Sequence, residues 1–360
     1  MAKSEIKTSG SQLQRLWYGS RLTLSQKILG ATLAPLSWAY WAGHLFKVAS
    51  GAKTQIECPV ISVGNLSVGG NGKTPLVIDI ANRLTSLGKK VAVISRGYRR
   101  STRGLVVVSL PGQDVQPVEL AGDEPVLIAR RCPDAAVVVG ADRVAAARKA
   151  IEVCNPDVII CDDAFQHRKL HRNFDIVAVH AVRGFGNGRL LPRGPLREPK
   201  EALSRANLVV FTYAKDEDVS ALLTRHGLTS NIQACLCDFT SAGFVSGEKL
   251  ELVDPPPTGS PVMAVSAIAN PLGFERSLQA TGLQVAKHLI FPDHHHYTKN
   301  DIEQIESEAQ KLDGSLVVTT EKDLVRMDQF ELGRLLLGLR IEARWTGDDL
   351  LIAQLTNLIT

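Results

Sequence analysis

The feature that most constrains this chain is a glycine-rich segment that follows an apolar run and precedes a helix-forming one. The apolar run is Pro59–Gly64, and the segment reads Ser67-Val68-Gly69-Gly70-Asn71-Gly72-Lys73-Thr74. Glycines let consecutive backbone N–H groups turn inward around phosphate oxygens, and a helix N-terminus adds positive potential. In such a loop the lysine reaches the β- and γ-phosphates and the threonine hydroxyl binds Mg²⁺. The pattern predicts a P-loop that binds ATP or a similar nucleotide.

The loop departs from the common pattern at two positions. Ser67 stands where glycine is usual, although Gly69 and Gly70 keep the backbone permissive. Asn71 stands where threonine is more usual, and we expect little consequence because such loops bind phosphate mainly through backbone groups. Pro75 falls in the first helical turn, where its missing N–H has no partner to lose. A glycine-rich turn without function would leave this combination unexplained, so nucleotide binding is favoured.

Two adjacent carboxylates end a second apolar run, Val158–Cys161. P-loop enzymes use carboxylates at this place to hold Mg²⁺ directly or through water. Thr74 and Asp162 are therefore the first candidates for the metal site. Neighbouring residues on a strand face opposite sides, so Asp163 either joins them or belongs to the following turn with a structural role.

Short β-branched runs alternate with helix-like segments from residue 59 onward, which indicates a parallel sheet covered on both faces. The predicted strands are Pro59–Gly64, Lys90–Ser95, Ala135–Gly140, Asp157–Cys161, Phe174–Val179, Leu208–Tyr213, Val262–Ser266, Ser315–Thr319 and Arg340–Trp345. The predicted helices are Thr74–Leu87, Ala141–Val153, Asp216–His226 and Lys299–Leu312. We expect an α/β protein with an N-terminal segment (1–52), a P-loop NTPase-like parallel-sheet domain (53–235) and a smaller α/β domain (236–360).

The composition fits an ordered protein, because 44% of the residues are hydrophobic and 22% are charged. The six cysteines are scattered through apolar stretches and form no Cys-x-x-Cys pair. They are expected to be buried thiols in a reducing cytosol rather than ligands of zinc or a redox pair.

The N-terminal end is basic and partly apolar. Its first 53 residues carry seven Lys and Arg side chains against the single acid Glu5. Residues 28–46 contain no Asp, Glu, Lys or Arg, but they include Trp38 and Trp41, whose rings favour the headgroup level of a membrane. The length is borderline for a span and Pro35 would kink the helix. We expect a membrane-associated helix in the interface, with an ordinary buried helix as the alternative, and no nucleic-acid partner.

Two further segments contain candidates whose role the pattern leaves open. Asp123, in Gly122-Asp123-Glu124-Pro125, precedes a helix, where a carboxylate either caps the helix or takes a proton from an attacking hydroxyl. The run Phe291–Tyr297 contains His294, His295 and His296. Adjacent histidines cannot all face one ion from a regular element, so a single base or orienting histidine is favoured over a metal site.

Eight motifs together resemble the tetraacyldisaccharide 4'-kinase family, in the same order and over nearly the whole chain. They are Gly64–Pro75, Ser95-Arg96-Gly97-Tyr98, Gly122-Asp123-Glu124-Pro125, Asp162-Asp163-Ala164-Phe165-Gln166-His167, Gly188-Arg189-Leu190-Leu191-Pro192, Pro195-Leu196-Arg197-Glu198-Pro199, Phe291-Pro292-Asp293-His294-His295 and Thr320-Glu321-Lys322-Asp323. Single motifs are only moderately specific, but eight in order are hard to reach by chance.

The resemblance implies transfer of the γ-phosphate of ATP, with Mg²⁺, to the 4'-hydroxyl of a tetraacylated glucosamine disaccharide 1-phosphate, which gives lipid IVA. It places the enzyme, expected as a monomer, at the cytoplasmic leaflet of the bacterial inner membrane. It implies that Lys73 and Thr74 act on phosphate and Mg²⁺, that Asp162 lies near the metal, and that Asp123 with His294 forms a catalytic dyad. We expect the dyad to be divided between two domains and assembled when they close.

Four arginines are candidates for contacting the substrate's 1-phosphate or glycan, because guanidinium groups match phosphate geometry. They are Arg143, Arg189, Arg193 and Arg197, with a solvated surface role as the alternative for each. One departure from the family is Ala267, which stands where glycine is expected and leaves a close backbone approach there in question.

The main alternative is a P-loop ATPase that acts as a switch or scaffold without transferring phosphate. Residues 320–323 could be taken for a guanine-reading loop, although their order fits that poorly. ADP production that depends on the lipid acceptor separates a kinase from a switch. A phosphohydrolase built on Asp293 and the histidines would leave the P-loop unexplained.

Overall fold

The computed structural model describes residues 12–19, 21–49, 53–98, 100–229, 231–312, 315–330, 336–347 and 349–359. The helices are α1 (Gln12–Tyr18), α2 (Leu24–Thr32), α3 (Ala34–Ala49), α4 (Lys73–Ser86), α5 (Val118–Ala121), α6 (Asp123–Arg131), α7 (Arg143–Cys154), α8 (Val219–Arg225), α9 (Pro271–Ala280), α10 (Lys299–Gln310), α11 (Glu321–Met327) and α12 (Asp349–Ile359). The strands are β1 (Val60–Asn65), β2 (Val91–Ser95), β3 (Val106–Ser109), β4 (Ala136–Val139), β5 (Val158–Asp162), β6 (Phe174–His180), β7 (Leu208–Thr212), β8 (Ala234–Ser246), β9 (Glu251–Val253), β10 (Pro261–Ser266), β11 (Gln284–Ile290), β12 (Leu316–Thr320) and β13 (Leu336–Thr346).

The chain divides into two compact units that are discontinuous in sequence. The first unit contains residues 1–73, 163–238 and 345–360, and the second contains residues 74–162 and 239–344. The sequence instead predicts three contiguous segments, with boundaries after residues 52 and 235. This division into domains stays a prediction.

The first unit contains a parallel sheet in which β1 pairs with β6, β6 with β7, and β7 with β8. All residues of β1, β6 and β7 are buried, as expected of parallel strands covered on both faces. Gly64 is required by packing, because a Cβ there would lie 2.5 Å from Phe165 Cβ. This close approach brings the chain after Asp162 against the strand that leads into the P-loop.

The second unit contains a parallel arrangement of β5, β2 and β4, with β3 added antiparallel to β4. It also contains β11, β10, β12 and β13, which pair in that order and in parallel. Helix α7 begins where the side chain of Asp142 accepts hydrogen bonds from the Val144 and Ala145 amides. Helix α11 begins in the same way at Thr320, whose hydroxyl accepts from the Asp323 amide.

The α/β fold with a mostly parallel sheet is confirmed, and each predicted strand overlaps an observed one. Helix Asp216–His226 is shorter than predicted, because Asp218 caps α8 and holds its start at Val219. The helix expected after Asp123 is observed as α6 and begins at Asp123 itself. Helices α9 and α11 and strand β11 were not predicted, since their apolar residues are interrupted by charges that the fold buries or pairs.

The apolar N-terminal stretch forms two helices instead of one. Helix α2 ends at Thr32, and α3 begins at Ala34 with Pro35 in its first turn, where proline is tolerated. Several large apolar side chains of these helices are exposed, including Trp38 at 75%. In the described part of the chain, no helix combines the length and apolar character needed to cross a membrane.

Candidate active site

The predicted P-loop connects β1 to α4, and its backbone has the conformation that glycine permits. Gly69 has a φ of +113° and Gly72 a φ of +73°, values that other residues rarely adopt. Helix α4 begins at Lys73, so the amides of the loop precede a helix N-terminus. The arrangement is the one that binds phosphate in P-loop proteins.

Ser67 and Asn71, the two residues that depart from the common P-loop pattern, are hydrogen-bonded to each other. The Asn71 side-chain amide donates to the Ser67 carbonyl at 3.1 Å and lies 3.0 Å from the Ser67 hydroxyl. Thr212, at the end of β7, donates to the Asn71 carbonyl at 3.1 Å. The expectation that Asn71 has little consequence is therefore revised, because its side chain closes the loop upon itself.

Asp163 holds two positive groups of the first unit. Its carboxylate lies 3.5 Å from Lys73 Nζ, and Arg197 Nη1 donates to both of its oxygens at 2.8 Å. The backbone of Asp163 has a φ of +49°, a left-handed conformation that is strained for most non-glycine residues. A carboxylate that already pairs with two cations favours the structural alternative for Asp163, whose metal role stays a prediction.

Asp162 ends β5 and is buried. Its carboxylate accepts a hydrogen bond from Ser95 Oγ at 3.1 Å, and its carbonyl accepts from Arg143 Nη2 at 3.2 Å. Thr74 and Asp162 offer a hydroxyl and a carboxylate, and Mg²⁺ takes few protein oxygens because it keeps waters and substrate phosphates. The donor chemistry fits Mg²⁺.

Asp123 and His294 contact each other in the second unit. Asp123 is the first residue of α6, and its Oδ2 lies 3.1 Å from His294 Nδ1. A carboxylate oxygen only accepts, so a hydrogen bond between them requires the proton on Nδ1; Arg326 Nη2 also lies 3.2 Å from this nitrogen. Lys322 Nζ lies 3.5 Å from His294 Nε2, which leaves that nitrogen as an acceptor. The two predicted dyad residues are thus brought together.

The electrostatic environment keeps Asp123 ionised. Burial opposes the charge, but the hydrogen bond from His294 and the positive charges of Lys322 and Arg326 outweigh it and hold the pKa of Asp123 far below its usual range. Lys322 also pairs with Glu124, at 2.7 Å between Nζ and Oε1.

Sequence reasoning missed Arg326. This residue lies on α11, three positions after Asp323, and its guanidinium contacts Asp123, Asp323 and the Ala267 carbonyl. The only signal in the sequence is the three-residue interval between Asp323 and Arg326, which brings the two side chains together on one face of a helix. The guanine-reading alternative does not fit, because the Asp323 carboxylate is buried and bonded within the protein.

The other histidines of the run have separate partners. His295 stacks on Phe291, with ring centroids 5.0 Å apart, and its Nε2 lies 3.0 Å from Asp301 Oδ2. His296 is exposed. Among the residues described, no group of three or more His, Cys, Asp or Glu side chains is arranged to hold a metal ion.

A cavity of about 270 Å³ opens onto the Asp123–His294 pair. Its lining within the second unit consists of Tyr98, Ser101, Val118, Glu119, Gly122, Asp123, His294, His296 and Arg326. The ring of Tyr98 meets His294 edge-on, at 5.8 Å between centroids. This cavity is the candidate acceptor site.

The four predicted substrate arginines lie in different surroundings. Arg143 is buried and also donates to the Gly140 carbonyl at 2.8 Å, which indicates a role in holding the end of β5. Arg197 is paired with Asp163 as described, Arg193 is half-buried, and Arg189 is exposed. Substrate binding by each of them stays a prediction.

Comparisons with known proteins agree with this geometry. The sequence profile of the tetraacyldisaccharide-1-P 4'-kinase family (LpxK) matches residues 29–360. The chain belongs to this family. A tetraacyldisaccharide 4'-kinase of Anaeromyxobacter sp. (strain K) is 39% identical over 326 residues, which cover 86% of this chain and 82% of that protein. The tetraacyldisaccharide 4'-kinase of Geobacter metallireducens is 40% identical over 293 residues, covering 80% and 82%.

A solved structure of the same kinase family also matches. The crystal structure of LpxK from Aquifex aeolicus in complex with ATP has a TM-score of 0.74 and 30% sequence identity, and it covers 92% of this chain and 100% of that one. The family assignment and the kinase class predicted from the eight motifs are confirmed. The roles of individual residues remain predictions.

Proposed function

We propose that this protein transfers the γ-phosphate of ATP to the 4'-hydroxyl of a tetraacylated glucosamine disaccharide 1-phosphate, giving lipid IVA. The observation that carries the proposal is the Asp123–His294 pair, at 3.1 Å, on the wall of one cavity in a chain of this kinase family. A switch without transfer would not need an ionised carboxylate on a cavity wall.

The residues Ser67 to Thr74 would bind the triphosphate. Inward backbone amides of the loop hold the β- and γ-phosphates, and Lys73 leaves its contact with Asp163 or shares it with phosphate oxygens. Thr74 and Asp162 would hold Mg²⁺, which neutralises the phosphate charge when it is bound. The protein thereby positions the γ-phosphate for attack and supplies little covalent chemistry of its own.

Asp123 would act on the acceptor hydroxyl. Its carboxylate accepts the hydrogen bond of the attacking hydroxyl, aligns the oxygen and receives the proton as the new O–P bond forms. His294 orients the carboxylate through its Nδ1–H. The gating hypothesis, in which the pair is divided between two domains, does not fit this arrangement, because both residues belong to the second unit.

We also propose that α2 and α3 lie against the cytoplasmic leaflet of the inner membrane. Six large apolar side chains of these helices are exposed, and basic residues precede and follow them: Leu24, Ile28, Leu36, Trp38, Trp41 and Leu45. Aromatic and apolar groups beside positive charge favour an anionic bilayer surface. This placement would deliver the acylated substrate from the membrane in which it resides.

The test of the kinase assignment is ADP production with and without acceptor. We expect tetraacyldisaccharide 1-phosphate in mixed micelles to raise the rate of ADP formation strongly, with one phosphorylated lipid formed for each ADP. Micelles without acceptor serve as the control. An equal ADP rate in both, without labelled lipid, would support the switch alternative instead.

A further inference from the structure

Arg326 holds Asp123 in a way that no sequence motif predicted. Its Nε donates to Asp123 Oδ2 at 2.9 Å, and its Nη2 contacts the same oxygen. Its Nη1 donates to Asp323 Oδ1 at 2.8 Å and to the Ala267 carbonyl at 3.1 Å. The guanidinium therefore uses all three nitrogens, and its side chain is only 5% exposed.

Asp323 fixes the guanidinium in turn. This carboxylate is fully buried and also accepts hydrogen bonds from the Ala267 amide at 3.0 Å and from the Thr320 hydroxyl at 2.8 Å. Its position does not depend on Asp123. The Arg326 guanidinium is hydrogen-bonded on one side to this buried carboxylate, so it cannot rotate without breaking several hydrogen bonds. It therefore presents N–H donors in fixed positions to Asp123.

The two oxygens of Asp123 are consequently unequal. Oδ2 is contacted by His294 Nδ1 and by two nitrogens of Arg326. Oδ1 accepts from the Glu124 amide at 3.0 Å, and within the described residues this is its one hydrogen bond. With a single hydrogen bond, Oδ1 keeps a lone pair for a further donor.

We infer that Arg326, held by Asp323, is the positioning residue of the transfer reaction, and that it presents Asp123 Oδ1 to the acceptor hydroxyl. The inference rests on the proposed function. In the step itself, the hydroxyl oxygen bonds to the γ-phosphorus, the bond from that phosphorus to the β,γ-bridging oxygen breaks, and ADP leaves. The hydroxyl proton passes to Oδ1.

The timing of the proton follows from the same contacts. A carboxylate stabilised by Arg326 is a weak base, so it takes the proton only once the attacking oxygen has become acidic by bonding to phosphorus. Such late proton transfer suits the loose transition state of phosphoryl transfer. Arg326 thus keeps Asp123 ionised and aligned. It also makes Asp123 less basic, which does not slow a reaction whose proton transfer comes late.

Other groups near Asp123 also bear on its titration. They are Tyr98 after β2, Glu119 on α5, Glu124 on α6, His294 and His296 after β11, and Lys322 on α11. Lys322 Nζ lies 3.7 Å from Asp123 Oδ2, and Glu124 offsets part of its charge. Arg326 approaches Asp123 Oδ2 more closely than Lys322 does, and with two nitrogens. Removing Arg326 should therefore change the electrostatic environment of Asp123 more than removing Lys322.

A purely structural role for Arg326 would be to join α6 to α11, and the chain offers a matched control for this. Arg131 on α6 donates to both oxygens of Glu321 on α11, at 2.9 and 2.6 Å, and its side chain is 8% exposed. This buried pair joins the same two helices but does not contact Asp123. Its loss should lower Tm without altering the chemistry.

The experiment compares wild type, Arg326→Lys, Arg326→Met and Arg131→Lys in kcat and KM for the lipid acceptor from pH 5.5 to 9. Arg326→Lys keeps the positive charge but loses the planar guanidinium and its several N–H donors, so kcat should fall about 10-fold with the pH profile unchanged. Arg326→Met should lose about 100-fold in kcat, as expected for a misplaced reacting group, and gain a new acid limb. Arg131→Lys should keep kcat within about 3-fold.

Carbon-13 NMR of labelled aspartate, with Asp123→Asn for assignment, supplies a readout that needs no turnover. The Asp123 signal should titrate at higher pH in Arg326→Met than in wild type. The inference is overturned if Arg326→Met keeps the wild-type pH profile and titration, or if Arg326→Lys loses no more activity than Arg131→Lys. If wild type transfers no phosphate, the proposed function fails, while the NMR titration still decides whether Arg326 controls Asp123. Should Arg326→Met not fold, the two lysine variants decide the matter.

Discussion

Asn71 and Ser67 are hydrogen-bonded across the P-loop, because the Asn71 side-chain amide reaches both the carbonyl and the hydroxyl of Ser67. Each residue departs from the common loop pattern, and the contact explains why they occur together. The serine supplies a second acceptor where glycine would have none, and the asparagine supplies the donor. The loop is thereby preorganised before phosphate binds.

Asn71→Ala should weaken nucleotide binding more than catalysis. Each lost hydrogen bond contributes about 1 kcal/mol, so we expect KM for ATP to rise about 5- to 10-fold with kcat changed less than 3-fold. Ser67→Ala, which removes only the hydroxyl contact, is the milder companion variant. Titration calorimetry with ATP and steady-state kinetics check this, and an unchanged affinity in Asn71→Ala would show that the contact does not preorganise the loop.

Arg197→Ala distinguishes two roles for that arginine. Because both oxygens of Asp163 bond to Arg197 Nη1, we expect its loss to draw Asp163 closer to Lys73 and to raise KM for ATP. A residue that binds the lipid 1-phosphate would instead raise KM for the acceptor. Arg225→Ala, which removes a surface pair with Glu217 in the same unit, serves as the matched control. If Arg197→Ala raises the KM for the acceptor and leaves the KM for ATP unchanged, Arg197 does not act by holding Asp163.

Removal of the carboxylate at position 123 should abolish most of the transfer. Asp123→Asn retains the size and loses the charge, so we expect kcat to fall about 10²- to 10⁴-fold, the range of general acid–base contributions. His294→Ala should cost less, because Arg326 continues to hold the carboxylate. Both variants should bind ATP as the wild type does. Near-normal kcat in Asp123→Asn would mean that another group receives the proton.

The ionisation of Asp123 should stabilise the protein at neutral pH, and the resulting pH dependence of stability should appear only in acid. The folded-state pKa of Asp123 is depressed, so its ionisation stabilises the fold fully above the unfolded pKa of about 3.9. This stabilisation is lost as the pH falls through the interval between that value and the folded pKa. Chemical denaturation at pH 3 to 7 should show the wild type losing stability below about pH 4. Asp123→Asn should lack this component, and a wild-type curve parallel to that of Asp123→Asn would contradict the predicted shift.

The strands and the P-loop were predictable because each is written in a short contiguous motif, whereas the pairing of Asp123 with His294, 171 positions apart, was implied only by the family resemblance. Val60–Asn65 is a buried β-branched strand, and the glycines after it have the positive φ that the motif requires. The structure shows His294 in contact with Asp123, and the catalytic role of the pair stays a prediction.

Contacts between distant segments were not predictable in this way. Arg326 and Asp123 are 203 positions apart, and nothing in the composition of α11 indicates which carboxylate its arginine meets. Ala267 shows the same limit. Its backbone makes the close contacts expected of glycine, accepting from His294 N at 3.0 Å and donating to Asp323, and its φ does not lie in the left-handed region. Alanine therefore suffices there, which only the structure reveals.

The most direct test of the account is the regiochemistry of transfer from ATP labelled at the γ-phosphate to tetraacyldisaccharide 1-phosphate in mixed micelles. Phosphorus NMR of the product from wild type should show a new monophosphate ester at the 4'-oxygen, and Lys73→Ala and Asp123→Ala should form almost none. Label on any other oxygen, or no labelled lipid although the wild type binds ATP with Mg²⁺, would contradict the proposed function.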